Sequence, residues 1–373
     1  MAIPGWKRHD MTALPLKKLE AWRYTDLTPL AEINFSEAGL GVAPAALPDL
    51  GLPRAVFING RYSHASTLPM PEFSPVHETG DLPLAQINAE SAQAGLTIDV
   101  PDGVDAGAIL LVSHASGEAP FAVHLRHRIH LGRGASLTII DIAKGDGLYW
   151  HNPVMDIRLE AGAKLAHYRL QDESRAAFGL ATIRAHIEAG AAYEHFSAII
   201  GARLSRTEIH ATLMGEEAAA HLNAVQLLNR EQHGDFTTVV AHRAPCCASR
   251  QTVKSVLSGL ARGVFQGRIE VDRIAQKTDG YQMSQALLLS EHAEMDIKPE
   301  LKIYADDVKC SHGATIGALD EDQVFYLRSR GIPEAQARAL LIRAFLDDAL
   351  SAVRHVQARA LFEAAIDTWW VSQ

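Results

Sequence analysis

Three copies of one pattern stand in the middle of the chain at intervals of 28 residues: Ile129-His-Leu-Gly-Arg-Gly-Ala135, Ile157-Arg-Leu-Glu-Ala-Gly-Ala163 and Ala185-His-Ile-Glu-Ala-Gly-Ala191. A weaker fourth copy, Ala211-Thr-Leu-Met-Gly-Glu-Glu217, follows after 26 residues. Each copy joins a short alternating strand to a glycine turn and a second alternating strand, which leaves no room for a helix of about ten residues. Such a unit cannot bury its own apolar face, so the copies must stack, with backbone pairing from one turn to the next. The repeat predicts a mainly β protein whose core, residues 106–318, is a parallel β-helix.

Alignment of the copies predicts which side chains face the interior of the β-helix. One position is apolar in every copy and is expected to face inward: Ile140, Tyr168, Phe196 and Leu222. The neighbouring position has opposite parity and is expected to face outward: Ile139, His167, His195 and His221. We interpret these histidines as a polar outer column rather than a metal ladder, because no carboxylate or thiol accompanies them. A further outer polar column is predicted at His130, Arg158 and His186.

Both ends of the chain depart from the repeat. Residues 1–105 are predicted to form an N-terminal mixed helical and α+β region, with a helix around Leu16 to Tyr24 and a hairpin turn at Asn59-Gly60. Residues 319–373 have helical periodicity and are predicted to form a C-terminal helical domain. Its first helices are predicted over Asp320 to Arg330 and Pro333 to Arg354, with a stop at Gly331.

An apolar stripe is expected on the second of these helices, either covering the end of the β-helix or accepting a partner: Leu340, Leu341, Phe345, Ala349 and Val353. Trp369 and Trp370 are expected to pack onto their own helical domain.

Composition excludes several classes of protein. The chain has 373 residues, 47% hydrophobic and 21% charged, which is typical of a soluble globular protein. A net charge of −9 argues against nucleic acid as a partner. We expect no membrane span and no secretory signal, and the small number of cysteines, with Cys246 and Cys247 adjacent, favours a cytoplasmic location. Neither cysteine receives a role beyond wall or core filling. The sequence contains neither a Walker loop nor a dinucleotide fingerprint, so ATP hydrolysis is not expected of this chain.

The candidate site lies in the run Tyr304-Ala-Asp-Asp-Val-Lys-Cys-Ser-His-Gly-Ala-Thr-Ile-Gly317. On an extended strand Asp306, Val308, Cys310 and His312 share one face. A thiolate and an imidazole are the ligands expected for zinc or iron, but a complete site takes about four ligands. If the pair is functional, the missing ligands must come from another chain.

Other interpretations of this run stay open. Cys310 and His312 can belong to a capped core strand, to a self-contained metal-binding protein or, less favourably, to a nucleophilic pair without an orienting third residue. Parallel β-helices also include carbohydrate-active hydrolases and lyases. Asp306 and Asp307 point to opposite faces of a strand, however, and therefore cannot act as a catalytic carboxylate pair.

Several longer motifs resemble the SufD family of the Suf iron-sulfur cluster assembly system: Glu20-Ala-Trp-Arg-Tyr-Thr-Asp-Leu27, Lys277-Thr-Asp-Gly-Tyr-Gln-Met-Ser-Gln285, Leu287-Leu-Leu-Ser290, the run Tyr304 to Thr315, and Phe325-Tyr-Leu-Arg-Ser-Arg-Gly-Ile332. The related SufB family carries a Glu-His-Glu-Ala-Thr type of sequence where this chain has Cys310-Ser-His-Gly-Ala-Thr315. The resemblance is therefore to SufD rather than SufB.

The resemblance implies a right-handed parallel β-helix between helical segments and a non-catalytic scaffold subunit. It implies a heterodimer with SufB through the C-terminal end of the β-helix, docking of the SufC ATPase on the terminal helices, and a homodimer as one form of the isolated subunit. Carried over by position, His312 matches a histidine implicated at the SufB-SufD interface, where the nascent cluster or its iron is thought to sit, and Cys310 matches a nearby thiol. Reduced flavin is associated with such complexes, but the sequence indicates no flavin site. The residues expected to bind partners are Phe325, Tyr326, Arg328, Arg330, Leu341 and Phe345.

Overall fold

The computed structural model describes residues 14, 19–41, 44, 49–70, 72–73, 80–92 and 94–371. The protein is mainly β, as predicted: a parallel β-solenoid of about eight turns is followed by C-terminal helices. The chain alternates between two sheets, and the strands between the sheet ends pair with the strand one turn earlier and the strand one turn later. Stacking is thus carried by backbone hydrogen bonds between successive turns.

Two sheets form the walls of the solenoid. Sheet A contains β1 (Ser36–Glu37), β4 (Thr97–Val100), β6 (Phe121–Val123), β7 (Arg126–Leu131), β9 (Tyr149–His151), β10 (Val154–Leu159), β12 (Phe178–Ile187), β14 (Leu204–Leu213), β16 (His233–His242), β18 (Arg262–Val271) and β20 (Glu294–Ile303). Sheet B contains β2 (Arg54–Ile58), β3 (Arg61–Tyr62), β5 (Asp105–Ser116), β8 (Ser136–Asp146), β11 (Lys164–Asp172), β13 (Ala192–Ile199), β15 (Ala219–Leu228), β17 (Ala248–Leu257), β19 (Asp279–Leu288) and β21 (Lys309–Gly317).

The helices lie outside the solenoid walls. They are α1 (Thr28–Ala31), α2 (Pro83–Ser91), α3 (Glu321–Ser329), α4 (Glu334–Leu350) and α5 (Val356–Val371), preceded by a 3-10 turn at Glu20–Trp22. The predicted break between the first two C-terminal helices falls at Gly331, which has a positive φ of 87°. The end predicted at Arg354 is too late, because α4 ends at Leu350. None of the described helices is long and apolar enough to cross a membrane.

The N-terminal region contributes strands to the solenoid sheets. β2 pairs parallel with β5, and β4 pairs parallel with β7, so strands from both sides of the predicted boundary at residue 105 share sheets. The hairpin predicted at Asn59-Gly60 joins β2 to the antiparallel β3, with positive φ at both turn residues. Of the helix predicted around Leu16 to Tyr24, residues 16–18 lie outside the described chain, and the described part is only the 3-10 turn at Glu20–Trp22.

The left-handed backbone position of the repeat recurs once in every turn. It is held first by Gly134, Gly162 and Gly190, and then by Glu217, Cys246 and Lys277, all with φ between 59° and 72°. At each of these positions the backbone N–H donates to a carbonyl of the following turn, as Cys246 does to Gln276 over 2.9 Å. The positive φ is therefore the requirement of this position, and glycine meets it without strain, whereas Cys246 occupies a strained turn position rather than the core.

Gly162→Ala is expected to lower the free energy of unfolding by about 1 kcal/mol, because a Cβ makes a positive φ unfavourable. Space is not the cause, since a Cβ built on Gly162 meets no atom closer than 3.8 Å. The measurement is urea unfolding, with Gly39→Ala as control, because Gly39 also has open space and its φ is not positive. Equal midpoints for both variants would contradict the strain argument.

The predicted inner and outer columns are reversed in the structure. Ile140, Tyr168 and Phe196 lie in register on the outer face of sheet B, where α4 and α5 cover them. Ile139, His167 and His195 lie in register on the inner face. The prediction that apolar residues mark the inside was wrong because both faces of this sheet are buried.

The fourth member of each predicted column is also displaced. In sheet B, Phe196 pairs with Asn223 and His195 with Leu222, so the offset between these turns is 27 residues instead of 26. His221 pairs with Glu194 on the outer face and does not continue the histidine column. The extra residue lies in the turn before β15, and a slip of one residue moves every side chain to the opposite face. The column His130, Arg158 and His186 does lie in register on the solvent side of sheet A.

Inside the solenoid, the histidines are held by a buried polar network. His195 lies 2.7 Å from Ser197 Oγ and 3.1 Å from the Tyr193 hydroxyl. Arg169 forms an ion pair with Asp141, and His167 Nε2 lies 3.5 Å from the same carboxylate. Burial opposes ionisation of Asp141, yet Arg169 and His167 hold the pKa of this carboxyl well below its usual range. Most of the polar atoms in this network have a partner within it, although His167 Nε2 and Arg169 Nε make no hydrogen bond.

The apolar stripe of α4 covers the outer side of sheet B instead of the end of the solenoid. Ala349 and Val353 are buried there, whereas Leu340 is half exposed. Phe362 of α5 packs on Phe196, with ring centroids 5.2 Å apart. Trp369 is buried, and Trp370 packs partly buried against the same cluster. The C-terminal helices are therefore firmly attached to the wall that ends in β21.

Candidate functional site

β20 and β21 form the last turn of the solenoid. In the described part of the chain each of these strands pairs on one side only, with β18 and β19 respectively. Large apolar side chains are exposed here: Ile303 is 37% exposed, Tyr304 64% and Ile316 50%. An unpaired strand edge beside exposed apolar groups is typical of a surface that pairs with another polypeptide. We refer to this surface, β20 and β21 with Tyr304, as the open end.

Cys310 and His312 lie on the inner face of the last turn. β21 runs parallel to β19, with Cys310 opposite Gly280 and His312 opposite Gln282. Gly280 and Gln282 are buried on the inner face of β19, so the two ligand candidates continue that face to the open end. His312 is exposed there, and Cys310 is partly buried. Both side chains are accessible only because the solenoid stops after this turn.

The environment of Cys310 is apolar. Its side chain packs beside Val308 against a small cluster that contains Ile269 and Ala305. A Cβ built on Gly280 would lie 3.3 Å from the Cys310 sulfur, so the glycine leaves room for the thiol. Burial raises the pKa of the Cys310 thiol. Without a metal, this thiol is therefore held in its protonated form near neutral pH, and metal binding must displace the proton.

The strand that carries the pair is shorter than predicted. β21 begins at Lys309, so Asp306 and Val308 belong to the loop that joins it to β20. Asp306 is exposed, and the backbone N–H of Asp307 donates to Gln276 Oε1 over 2.9 Å. The shared face therefore holds Cys310 and His312 but not the carboxylate. Sequence reasoning also passed over Gln282 and Ser284, whose buried polar side chains lie on the inner face behind the pair.

The residues predicted to bind partners fall into two groups. Phe325 is 70% exposed and Tyr326 57% exposed on α3, and the Arg330 guanidinium lies 5.2 Å from the Tyr326 ring centroid. Arg328, on the same helix, forms an ion pair of 3.3 Å with Glu334.

The remaining two, Leu341 and Phe345, pack partly buried against the cluster between α4 and sheet B. Lys254 of β17 lies over the Phe345 ring at 4.7 Å. Their main contacts are thus within the chain.

An apolar groove lies between α4 and α5. It has a volume of about 430 Å³ and is lined by Leu340, Arg343 and Trp370, among others. Across the residues that the structure describes, no group of three or more His, Cys, Asp and Glu side chains is arranged to hold a metal ion. The buried histidines of the polar network also belong to no such group.

The fold and the site define a parallel β-solenoid protein with an open end that carries a thiol and an imidazole. Residues 112–345 match the family model described as SUF system FeS cluster assembly, SufBD core domain. The chain belongs to this SufBD family of iron-sulfur cluster assembly proteins.

Similarity to members of this family extends over most of the chain. This chain is 33% identical over 365 residues to the iron-sulfur cluster assembly protein SufD of Escherichia coli, and the aligned region covers 92% of this chain and 86% of that protein. It is 32% identical over 377 residues to the chloroplastic protein ABCI7 of Arabidopsis thaliana, covering 90% of this chain and 78% of that protein. A SufBD family protein of Synechocystis is 32% identical over 393 residues, covering 91% of this chain and 84% of the relative.

Proposed function

We propose that this chain is a SufD-like, non-catalytic subunit of a SufB-SufC-SufD scaffold, and that Cys310 and His312 form its half of a shared site for the nascent cluster or its iron. The observation that carries the proposal is the position of both side chains on the inner face of the last solenoid turn, at the open end. The cluster is cargo of the complex rather than a resident cofactor of this chain.

The chemistry of the pair supports a shared site. A thiolate and an imidazole suit iron, but an iron-sulfur cluster takes about four ligands. A SufB subunit that docks on the open end can add ligands and also pair its strands with the free edges of β20 and β21. Docking then removes the exposed apolar groups from water and closes the site in one step.

The C-terminal helices supply a route from the ATPase to the site. We propose that SufC docks on the exposed face of α3 and on the groove between α4 and α5. α4 packs on sheet B, and Asp348 forms a 3.0 Å ion pair with Lys254 of β17. Since β17, β19 and β21 are consecutive strands of that sheet, movement of the helices on ATP binding strains the strand that carries Cys310 and His312. A cytoplasmic location and an association with reduced flavin remain predictions.

The test of this proposal is His312→Ala in the reconstituted complex with SufB and SufC. The rate of cluster assembly, monitored by the absorbance of the nascent cluster, is expected to fall about tenfold, because an interface ligand is lost. His186→Ala is the matched control, since His186 is exposed on the outer wall of sheet A, far from the open end. Undiminished assembly by the His312 variant, with the complex intact, would remove the ligand role.

A further inference from the structure

Behind His312 lies a buried carboxamide without a hydrogen-bond partner. Gln282 is fully buried on the inner face of β19 and is paired in register with His312. Neither its Oε1 nor its Nε2 has a partner among the described residues. A buried amide in this state is costly and rare, so its retention calls for a group that completes it.

The carboxamide of Gln282 is confined on the inward side. It lies against Gly267 of β18, where an added Cβ would come within 2.8 Å of the Gln282 Oε1 and 2.6 Å of the Phe265 ring. Phe265 is itself buried in the core, and the absence of a side chain at Gly267 leaves room for the amide. In the ladder, Gln282 is flanked by Gln251 of β17 on the inner side and by the last rung on the other. That rung is His312, about 4.8 Å further along the stack.

We infer that Gln282 is a positioning residue for His312: in the assembled complex its carboxamide hydrogen-bonds one imidazole nitrogen and thereby aims the other nitrogen at the shared site. The inference rests on the proposed function. A histidine that ligates a metal almost always uses its second ring nitrogen in a hydrogen bond that fixes the tautomer and orientation of the ring. Gln282 is the buried polar side chain that stands in register beneath His312.

The unpartnered amide is expected to cost stability in the isolated chain. An apolar side chain of similar shape in the same place would remove the unsatisfied groups and would stabilise the isolated chain or leave its stability unchanged. A group that costs stability in the free subunit and is completed only in the complex is the pattern expected of a functional site. The inference thus predicts opposite effects of one substitution on the stability of the subunit and on assembly.

The experiment compares Gln282→Met with Gln251→Met in the isolated full chain and in the complex reconstituted with SufB and SufC. Gln251 is a matched control because it is equally buried, lies in register with Gln282 one turn deeper, and also has an unpartnered Nε2. Its Oε1 accepts a hydrogen bond from Thr238. We therefore expect Gln251→Met to lower the Tm of the isolated chain without slowing assembly. Gln282→Met is expected to keep or raise the Tm and to slow assembly about tenfold.

A spectroscopic readout separates positioning from stability. In the reduced, cluster-loaded complex, nitrogen hyperfine coupling measured by pulsed electron paramagnetic resonance reports the histidine ligand. The coupling is expected to vanish in His312→Ala and to shift in Gln282→Met, but to stay unchanged in Gln251→Met. If Gln282→Met does not fold, Gln282→Leu replaces it with the same expectations.

The outcomes distinguish the two hypotheses. Assembly and coupling that survive His312→Ala would overturn the proposed function and the inference with it. If His312→Ala loses assembly and coupling while Gln282→Met keeps normal assembly and an unshifted coupling, the inference alone would be overturned. A lower Tm in Gln282→Met with equal losses of assembly in both glutamine variants would also overturn it, because the amides would then be structural.

Discussion

Asp235→Asn is expected to lower the free energy of unfolding by about 3 kcal/mol, because it leaves the buried Arg206 guanidinium without its closest counter-charge. Both side chains are inaccessible to solvent and face each other across β14 and β16 on the outer side of sheet A. Burial disfavours the charged guanidinium, yet Asp235 and Glu208 raise the pKa of Arg206. Glu208 remains in the variant, so the loss should fall at the lower end of the range for a broken buried pair.

The same pair anchors the N-terminal motif Glu20 to Leu27. Trp22 is buried with its ring 4.0 Å from the Arg206 guanidinium carbon, and the Thr25 hydroxyl donates a hydrogen bond to Asp235. Removing the carboxylate charge should therefore also loosen this segment, and proteolysis near Tyr24 is expected to become faster.

Urea unfolding measures the stability change, and Asp296→Asn is the control. Asp296 pairs with Arg262 at 2.6 Å, but both side chains are partly exposed, and such pairs contribute only about 0–1 kcal/mol. Similar losses for the two variants would contradict the assignment of Arg206 and Asp235 as a buried anchor.

Lowering the pH from 7 to 4 is expected to remove about 6 kcal/mol of stability through His127 and His242 alone. These are two of the buried histidines whose pKa burial lowers, and His195 and His233 act in the same direction. Burial lowers the pKa of both His127 and His242 to about 4 from an ordinary value of 6.5. Between these values the unfolded chain binds a proton at each histidine and the folded chain does not. Stability is therefore fully present above pH 6.5 and is lost as the pH falls toward 4, by up to about 3 kcal/mol for each group.

Local contacts explain why these histidines stay neutral. The backbone N–H of Leu96 donates to His127 Nδ1 over 3.0 Å, so this nitrogen must be unprotonated. Asp141 partly opposes the effect of burial on His127, whereas His151 and Arg169 add to it. His242 Nε2 lies 2.9 Å from Ser249 Oγ. Both imidazoles therefore sit where a positive charge is unfavourable.

Carboxyl groups with depressed pKa values affect the free energy of unfolding only at lower pH. Arg206 and His210 outweigh the burial of Glu208 and lower its pKa to about 2. The stability that Glu208 contributes is present above its unfolded value and is lost as the pH falls through about 2, so it adds little to the loss between pH 6.5 and 4.5.

The measurement is the free energy of unfolding in urea at several pH values from 7 to 4. His242→Gln removes one titrating group and should reduce the slope by about 1.4 kcal/mol per pH unit in the steepest part of this range. A flat profile between pH 6.5 and 4.5 would refute the assignment of buried neutral histidines.

The solenoid could be predicted from the sequence because its main constraint is local and repeated. One residue per turn must adopt a positive φ, and Gly134, Gly162 and Gly190 mark that position directly. The spacing of these glycines sets the length of a turn, and the short alternating strands leave no alternative to stacking.

Which side chains of each strand point into the solenoid could not be predicted in the same way. Tyr168 and Phe196 are apolar because α4 and α5 cover them, and the sequence does not show which surface a distant helix will cover. His167 and His195 are inside because Asp141, Tyr193 and Ser197 offer them polar contacts, which is a property of the assembled network.

The candidate site was partly predictable. Cys310 and His312 could be identified by residue type and spacing, and the structure places both on one face at the open end. Gln282 could not be identified, because a single glutamine in an alternating strand looks the same whether it is buried without a partner or solvated. Its significance depends on the register with His312 and on the burial of its amide.

The two ends of sheet B are unlike, and this limits how the subunit can associate with itself. The sheet starts with the antiparallel β2–β3 hairpin and stops at the bare edge of β21. A solenoid with bare edges at both ends could add copies head to tail into a filament. If two copies of the subunit meet through β21, the contact occupies this edge on both, so we expect association through this surface to stop at an isologous pair.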